Sequence, residues 1–138
     1  MVRFPARAAL ATLFAFAFAF AASSAAQADI VIGVSFSQTG PAAALGIAPR
    51  NTLALFPDQI AGEKLRFVAL DDATDSTSAA KNARRFVSED KVDLIIGSTA
   101  SPPAIAIAEI AREAETVQLA AAPINLPDGK KLKGVIQR

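Results

Sequence analysis

The 138-residue sequence contains no cysteine and no histidine. Without cysteine no disulfide can hold the fold, so a packed core has to do so. Cys/His zinc sites and every histidine-based nucleophile triad are excluded as well, and much enzyme chemistry goes with them. The chain also lacks an excess of charge of either sign: 14 Lys and Arg stand against 13 Asp and Glu. With no basic stripe there is no electrostatic footprint for nucleic acid, and that class of partner is set aside.

What is present begins with a leader. Arg3 and Arg7 precede a small and apolar run from Ala8 to Ala22, followed by Ser23, Ser24 and the small-residue triplet Ala26-Gln27-Ala28. This is the order of a basic segment, an apolar segment and a cleavage site in an export signal. The apolar run is about 15 residues, short of the roughly 20 that a membrane-spanning helix needs. Cleavage after Ala28 is therefore expected, with residues 1–28 as signal peptide and residues 29–138 as the exported part. Arg3 and Arg7 are two of the 14 basic residues, so the exported part carries one more acidic than basic side chain. Its length suits one domain with a real core and not two.

From Asp29 onward two periodicities alternate. Residues 30–36 (IVIGVSF) form a short apolar, largely β-branched run that reads as a buried strand. Residues 41–56 read as helix, with Pro41 near its first turn, Pro49 kinking or dividing it and Pro57 ending it. Residues 65–70 are a second strand and residues 76–89 a second helix, capped by Asp75 and packing through Ala79, Ala83, Phe86 and Val87. A third strand over 92–96 leads to a third helix over 102–115, with Ile105, Ala108, Ile110 and Ala111 inward. Residues 117–121 make a fourth strand, 125–133 a polar loop, and 134–137 the start of a fifth strand. Such alternation predicts an α/β fold: a parallel sheet with helices on both faces.

Ligands of such sheets sit outside the carboxyl ends of the strands, where strand order reverses. For the order 2-1-3-4-5 the loops that meet there are Ser37–Pro41 and Gly97–Pro102. The second is the more informative: Gly97 allows a sharp turn, Ser98, Thr99 and Ser101 supply hydroxyls, Ser101 can cap the helix, and Pro102 fits its first position. A helix start with free N–H groups and hydroxyls suits a carboxylate. The loop is not a P-loop, having no Gly-Lys-Ser/Thr at the required spacing. Nor is it a nucleophile elbow, having no GxSxG and no histidine to activate a serine. Asp71 and Asp72 are neighbours and point to opposite faces, so they do not converge on one substrate atom; they read as solvated charges of a turn and helix start. Lys81, Arg84 and Arg85 read as the wet face of their helix, and Lys130, Lys131 and Lys133 as part of a solvated loop.

The ordered set formed by residues 30–46 (IVIGVSFSQTGPAAALG), residues 68–104 (VALDDATDSTSAAKNARRFVSEDKVDLIIGSTASPPA) and the polar stretch 125–131 resembles the N-terminal lobe of the type I periplasmic binding proteins of the branched-chain amino acid uptake group. That resemblance implies a two-lobed clamshell that presents its ligand to an inner-membrane ABC permease. It implies a periplasmic monomer that binds leucine-like amino acids or related small carboxylates, is not an enzyme, and uses no cofactor or metal. In the family two loops, after the third and fourth strands, hold the ligand's α-carboxylate and α-ammonium; Ser98, Thr99, Ala100 and Ser101 correspond to the first, and Ala120, Ala121 and Ala122 to the second. Ser37, Gln38, Thr39 and Gly40 lie beside them. The second loop lacks the hydroxyl often found there, so an ammonium would meet only backbone carbonyls from this side. The family's second lobe and hinge crossings have no counterpart before Arg138, which implies a partial lobe from a truncated product. Two rivals use related shapes: a sensory amino-acid or amide receptor, and an exported single-domain enzyme, for which only carboxylates, lysines and hydroxyls remain as chemistry.

N-terminal sequencing of periplasmic material is expected to begin at Asp29. Retention of Phe14–Phe20 in the exported product would contradict this.

Overall fold

The computed structural model describes residues 29–124 and 135–137. The elements are β1 (Ile30–Phe36), α1 (Ala43–Thr52) with a 3-10 turn over Leu53–Leu55, β2 (Gln59–Ile60), β3 (Glu63–Asp71), α2 (Ser76–Arg85) continued by a π turn over Phe86–Asp90, β4 (Leu94–Gly97), α3 (Ser101–Glu113), β5 (Val117–Ala120) and β6 (Val135–Gln137). They form one six-stranded sheet of order β2-β3-β1-β4-β5-β6. All pairings are parallel except that of β2 with β3. Apart from β2, this is the expected 2-1-3-4-5 order. The added edge strand is two residues long and exposed, so it carries no alternation by which a sequence could announce it. The expected leader over residues 1–28 and the loop over 125–133 lie outside the described residues.

The alternation of β1 decides how the sheet is dressed. Ile32, Val34 and Phe36 turn to one face and pack with Leu65, Leu53, Phe67, Leu94 and Ile96. Val31 turns to the other, where Ala79, Ala83 and Phe86 of α2 and its extension meet Val92, Ile95, and Ile107 and Ala111 of α3. Gly33 shares that second face because Phe86 needs the space: a Cβ at Gly33 would sit 2.7 Å from the ring. Asp75 caps α2 as expected, its side chain accepting the Ser78 N–H at 2.7 Å, and that bond lowers the carboxyl pKa. Lys81, Arg84 and Arg85 are exposed on the same helix, and Arg85 pairs with Glu89 and Asp90.

Several expectations are corrected. The first helix is shorter than residues 41–56 and runs through Pro49 rather than dividing there. It stops because Phe56 precedes Pro57 and is pushed to extended backbone, ψ 148°. The third helix buries Pro103, Ala104, Ile107, Ala108 and Ala111, while Ile105 and Ile110 stay half-buried. The buried stripe thus has the 104, 107, 108, 111 spacing of one helical face, a phase that small alanines on both sides of it obscured. Val92 lies just before β4 and is anchored by its N–H to the Phe86 carbonyl at 3.1 Å.

Candidate functional site

The carboxyl ends of β1, β3, β4 and β5 lie on one side of the sheet, and the chain changes direction between β1 and β4. There the loop after β1 and the loop after β4 are in contact. The Ser37 N–H donates to Thr99 Oγ1 at 3.3 Å, and the Ser37 and Ser98 hydroxyls lie 3.4 Å apart. The bend after β4 begins at Gly97, whose φ is +128°. A Cβ at Gly97 would fall 1.9 Å from the Ser35 carbonyl oxygen, so only glycine fits. Gly46 plays the corresponding part on α1, with no room for a Cβ against the Ser37 carbonyl.

Beneath the loops lies a polar cluster whose extent the sequence pattern did not suggest. Asp72 is fully buried and accepts the Ser37 hydroxyl at 2.7 Å, the Ser35 hydroxyl at 3.1 Å and the Thr74 N–H at 3.1 Å. From α2, the Asn82 side-chain amide donates to Ser35 Oγ at 3.3 Å and to the Asp71 carbonyl at 2.9 Å. Asp71 points the other way: it accepts the Gln38 N–H at 2.8 Å, the Thr39 N–H at 3.3 Å, the Ala73 N–H at 2.8 Å and the Thr39 hydroxyl at 2.6 Å. The two carboxyls do serve opposite sides, but reading both as solvated turn charges is corrected. Asp72 is an internal acceptor because Ser35 and Ser37, two residues apart on one strand face, put two hydroxyls directly beside it. That spacing inside an apolar strand was the available signal, as was Asn82 on the inner stripe of α2.

The expected contacts divide by exposure. Ser37 and Ser98 are buried within the network, and Thr99 is nearly so. Gln38, Ala100 and Ser101 are half-buried, Ala121 is exposed and Ala122 is buried. Ser101 is the first residue of α3 rather than its cap; Ala100 holds the cap position, with no side-chain bond. A capping side chain bonds the N–H of the second or third helical residue, and here both are prolines, Pro102 and Pro103, which have none. The same two prolines reduce the free N–H groups expected of the helix start. The Ala100 N–H is also occupied, donating to Ser98 Oγ at 3.3 Å. The side chains of Ser101 and Gln38 keep unused hydrogen-bonding groups among the described residues.

The sequence profile of the family described as "Periplasmic binding protein" matches residues 29–134. An "Amino acid binding protein" of Pseudomonas aeruginosa is 30% identical over 104 residues, covering 71% of this chain and 28% of that protein. A solved extracellular ligand-binding receptor from Rhodopseudomonas palustris is 42% identical with a TM-score of 0.75, covering 79% of this chain and 30% of its own. A leucine binding protein from Thermotoga maritima is 29% identical with a TM-score of 0.70, covering 78% of this chain and 32% of its own. The chain therefore spans about 30% of the length of these relatives.

Burial alone raises the Asp71 pKa, but the bonds from Thr39, Ala73 and Gln38 outweigh it and hold the carboxyl below its ordinary range. A depressed folded pKa adds stability above the unfolded value of about 4 and loses it as pH falls through the folded value. Solvent screening keeps the effect small at this partly exposed site. Asp71→Asn is expected to lower the urea midpoint at pH 7, with the gap to the unaltered chain closing below about pH 4; a gap constant from pH 7 to the acid limit would contradict the assignment.

Proposed function

The chain belongs to the periplasmic binding protein family, and on that premise we propose that it is the ligand-holding part of an extracytoplasmic solute receptor serving an ABC importer. The ligand in this reading is a branched-chain amino acid such as leucine, or a related small carboxylate, and the protein binds it without transforming it. In this reading residues 1–28 are an export signal, and the protein works in the periplasm as a monomer facing an inner-membrane permease. The observation that carries the reading is the junction of the Ser37–Gly40 and Gly97–Ser101 loops at the strand-order reversal, the general ligand position of such sheets. Support comes also from the relatives, solute-binding proteins rather than enzymes, among them one described as binding amino acids and one as binding leucine.

Within this reading the hydroxyl of Ser101 and the amide of Gln38 meet the ligand's carboxylate at the amino end of α3, whose dipole favours negative charge. Ser37, Ser98 and Thr99 hold that surface in place from below. Ala100, Ala121 and Ala122 shape its wall, and backbone carbonyls after β5 receive the ammonium.

Such a surface alone binds weakly. Two charge-assisted hydrogen bonds contribute about 1.5–3 kcal/mol each and the helix dipole about 0.3–1 kcal/mol, against at least about 4 kcal/mol of lost freedom on association. The remainder is at most about 3 kcal/mol, whereas a micromolar complex needs about 8 kcal/mol. A second lobe closing over the ligand supplies the rest by enclosing its apolar side chain and excluding water. Titrating the 138-residue chain with leucine, isoleucine, valine and aromatic acids by NMR is expected to shift the Gln38, Ala100, Ser101 and Ala104 amides only at millimolar concentration. No shift with any of them would overturn the proposed site, and sub-micromolar binding would overturn the need for a second lobe.

A further inference from the structure

Gln118 is an anomaly in β5. It is fully buried, opposite Ile95 in the parallel ladder with β4. An amide buried in an apolar strand opposes folding unless its groups are bonded, and an unbranched apolar side chain of similar size would fill the same space. The bonds it makes are specific. Its Nε2 donates to the Gly97 carbonyl at 2.6 Å and to the Ala104 carbonyl at 3.1 Å. Both partners are acceptors, so the amide nitrogen must face them and the orientation of the group follows. Its Oε1, left on the other side, is buried with no partner among the described residues. The side chain thus gives up one polar atom in order to use both hydrogens.

Those two carbonyls bracket the candidate loop. Gly97 lies one residue past the last β4–β5 pair, Ile96 with Leu119, and Ala104 follows the two prolines of α3. Between them the loop has few internal bonds: the Ala100 N–H to Ser98 Oγ at 3.3 Å and the Ala104 N–H to the Ala100 carbonyl at 3.0 Å, while Pro102 and Pro103 contribute no donor. We infer that Gln118 is the positioning residue of the ligand loop, a clamp from the neighbouring strand that joins the end of β4 to the start of α3 and sets the height at which Ser101 is offered. The inference rests on reading Gly97–Ser101 as the loop that holds the ligand. Gln118 itself, without solvent exposure, touches no ligand.

The test compares amide hydrogen exchange in the unaltered 138-residue chain with Gln118→Met and Gln118→Glu, without any ligand. Methionine keeps length and apolar packing while removing both donors; glutamate keeps the shape and offers only acceptors or a single proton. The expected result is exchange about tenfold faster at Ala100 and Ala104 in both variants, with Val34, Ala83 and Ile107 changed by less than about threefold. Unchanged exchange at Ala100 and Ala104 would overturn the clamp, as would equal acceleration throughout. Unfolding of both variants would also overturn it, because Gln118 would then support the whole fold rather than one loop. Since no ligand is present, these outcomes bear on the clamp alone; the ligand assignment fails separately, in the NMR titration.

Discussion

A carboxyl group taken out of water must find donors for its oxygens, and Asp72 finds them where three strands end. Ser35 of β1 and Ser37 just after it supply hydroxyls, Thr74 supplies an N–H from the turn after β3, and Ser37 passes the connection to Ser98 and Thr99 after β4. The Asp72 N–H itself returns to the Phe36 carbonyl at 3.2 Å, and its carbonyl receives the Asp75 N–H at 2.8 Å where α2 begins. Removing any member leaves others buried and unbonded, which is costlier than the loss of one hydrogen bond between exposed groups. The loops are therefore held as a set by a polar layer buried beneath them.

The same face of β1 that carries this layer explains the packing below it. Its residues run Val31, Gly33, Ser35, Ser37: one apolar anchor, one gap for the Phe86 ring, then two hydroxyls. The change from apolar to polar along a single strand face separates the core from the site. The opposite face, Ile32, Val34 and Phe36, remains apolar to the end. Close approach completes the arrangement, because Gly97 and Gly46 let backbone from β4 and α1 come against the Ser35 and Ser37 carbonyls.

The strand order, the position of the reversal and the Asp75 cap were legible because each follows from a local pattern: alternation, a glycine-bearing turn, or a capping residue before a helical stripe. What escaped depends on partners distant in sequence. Ser37 is 35 residues from Asp72 and 61 from Ser98, and no local rule joins them, although hydroxyls spaced two apart in a buried strand asked for an acceptor. The Ser101 cap failed because the helix starts one residue earlier, at Ser101 itself, and the Ala104 N–H that such a cap would bond goes to the Ala100 carbonyl. Gln118 resembled any polar interruption of a strand until its two acceptors on the β4 loop and α3 were placed beside it.

The central claim is that the Asp72 carboxyl and the β1 hydroxyls act as one unit that fixes the loops. A double-mutant cycle with Asp72→Ala and Ser37→Ala, followed by urea unfolding at neutral pH, tests it most directly. The account predicts that the two substitutions are far from additive, with a coupling of about 1–3 kcal/mol because the second removes a partner already stranded by the first. Effects that add to within about 0.5 kcal/mol would contradict it.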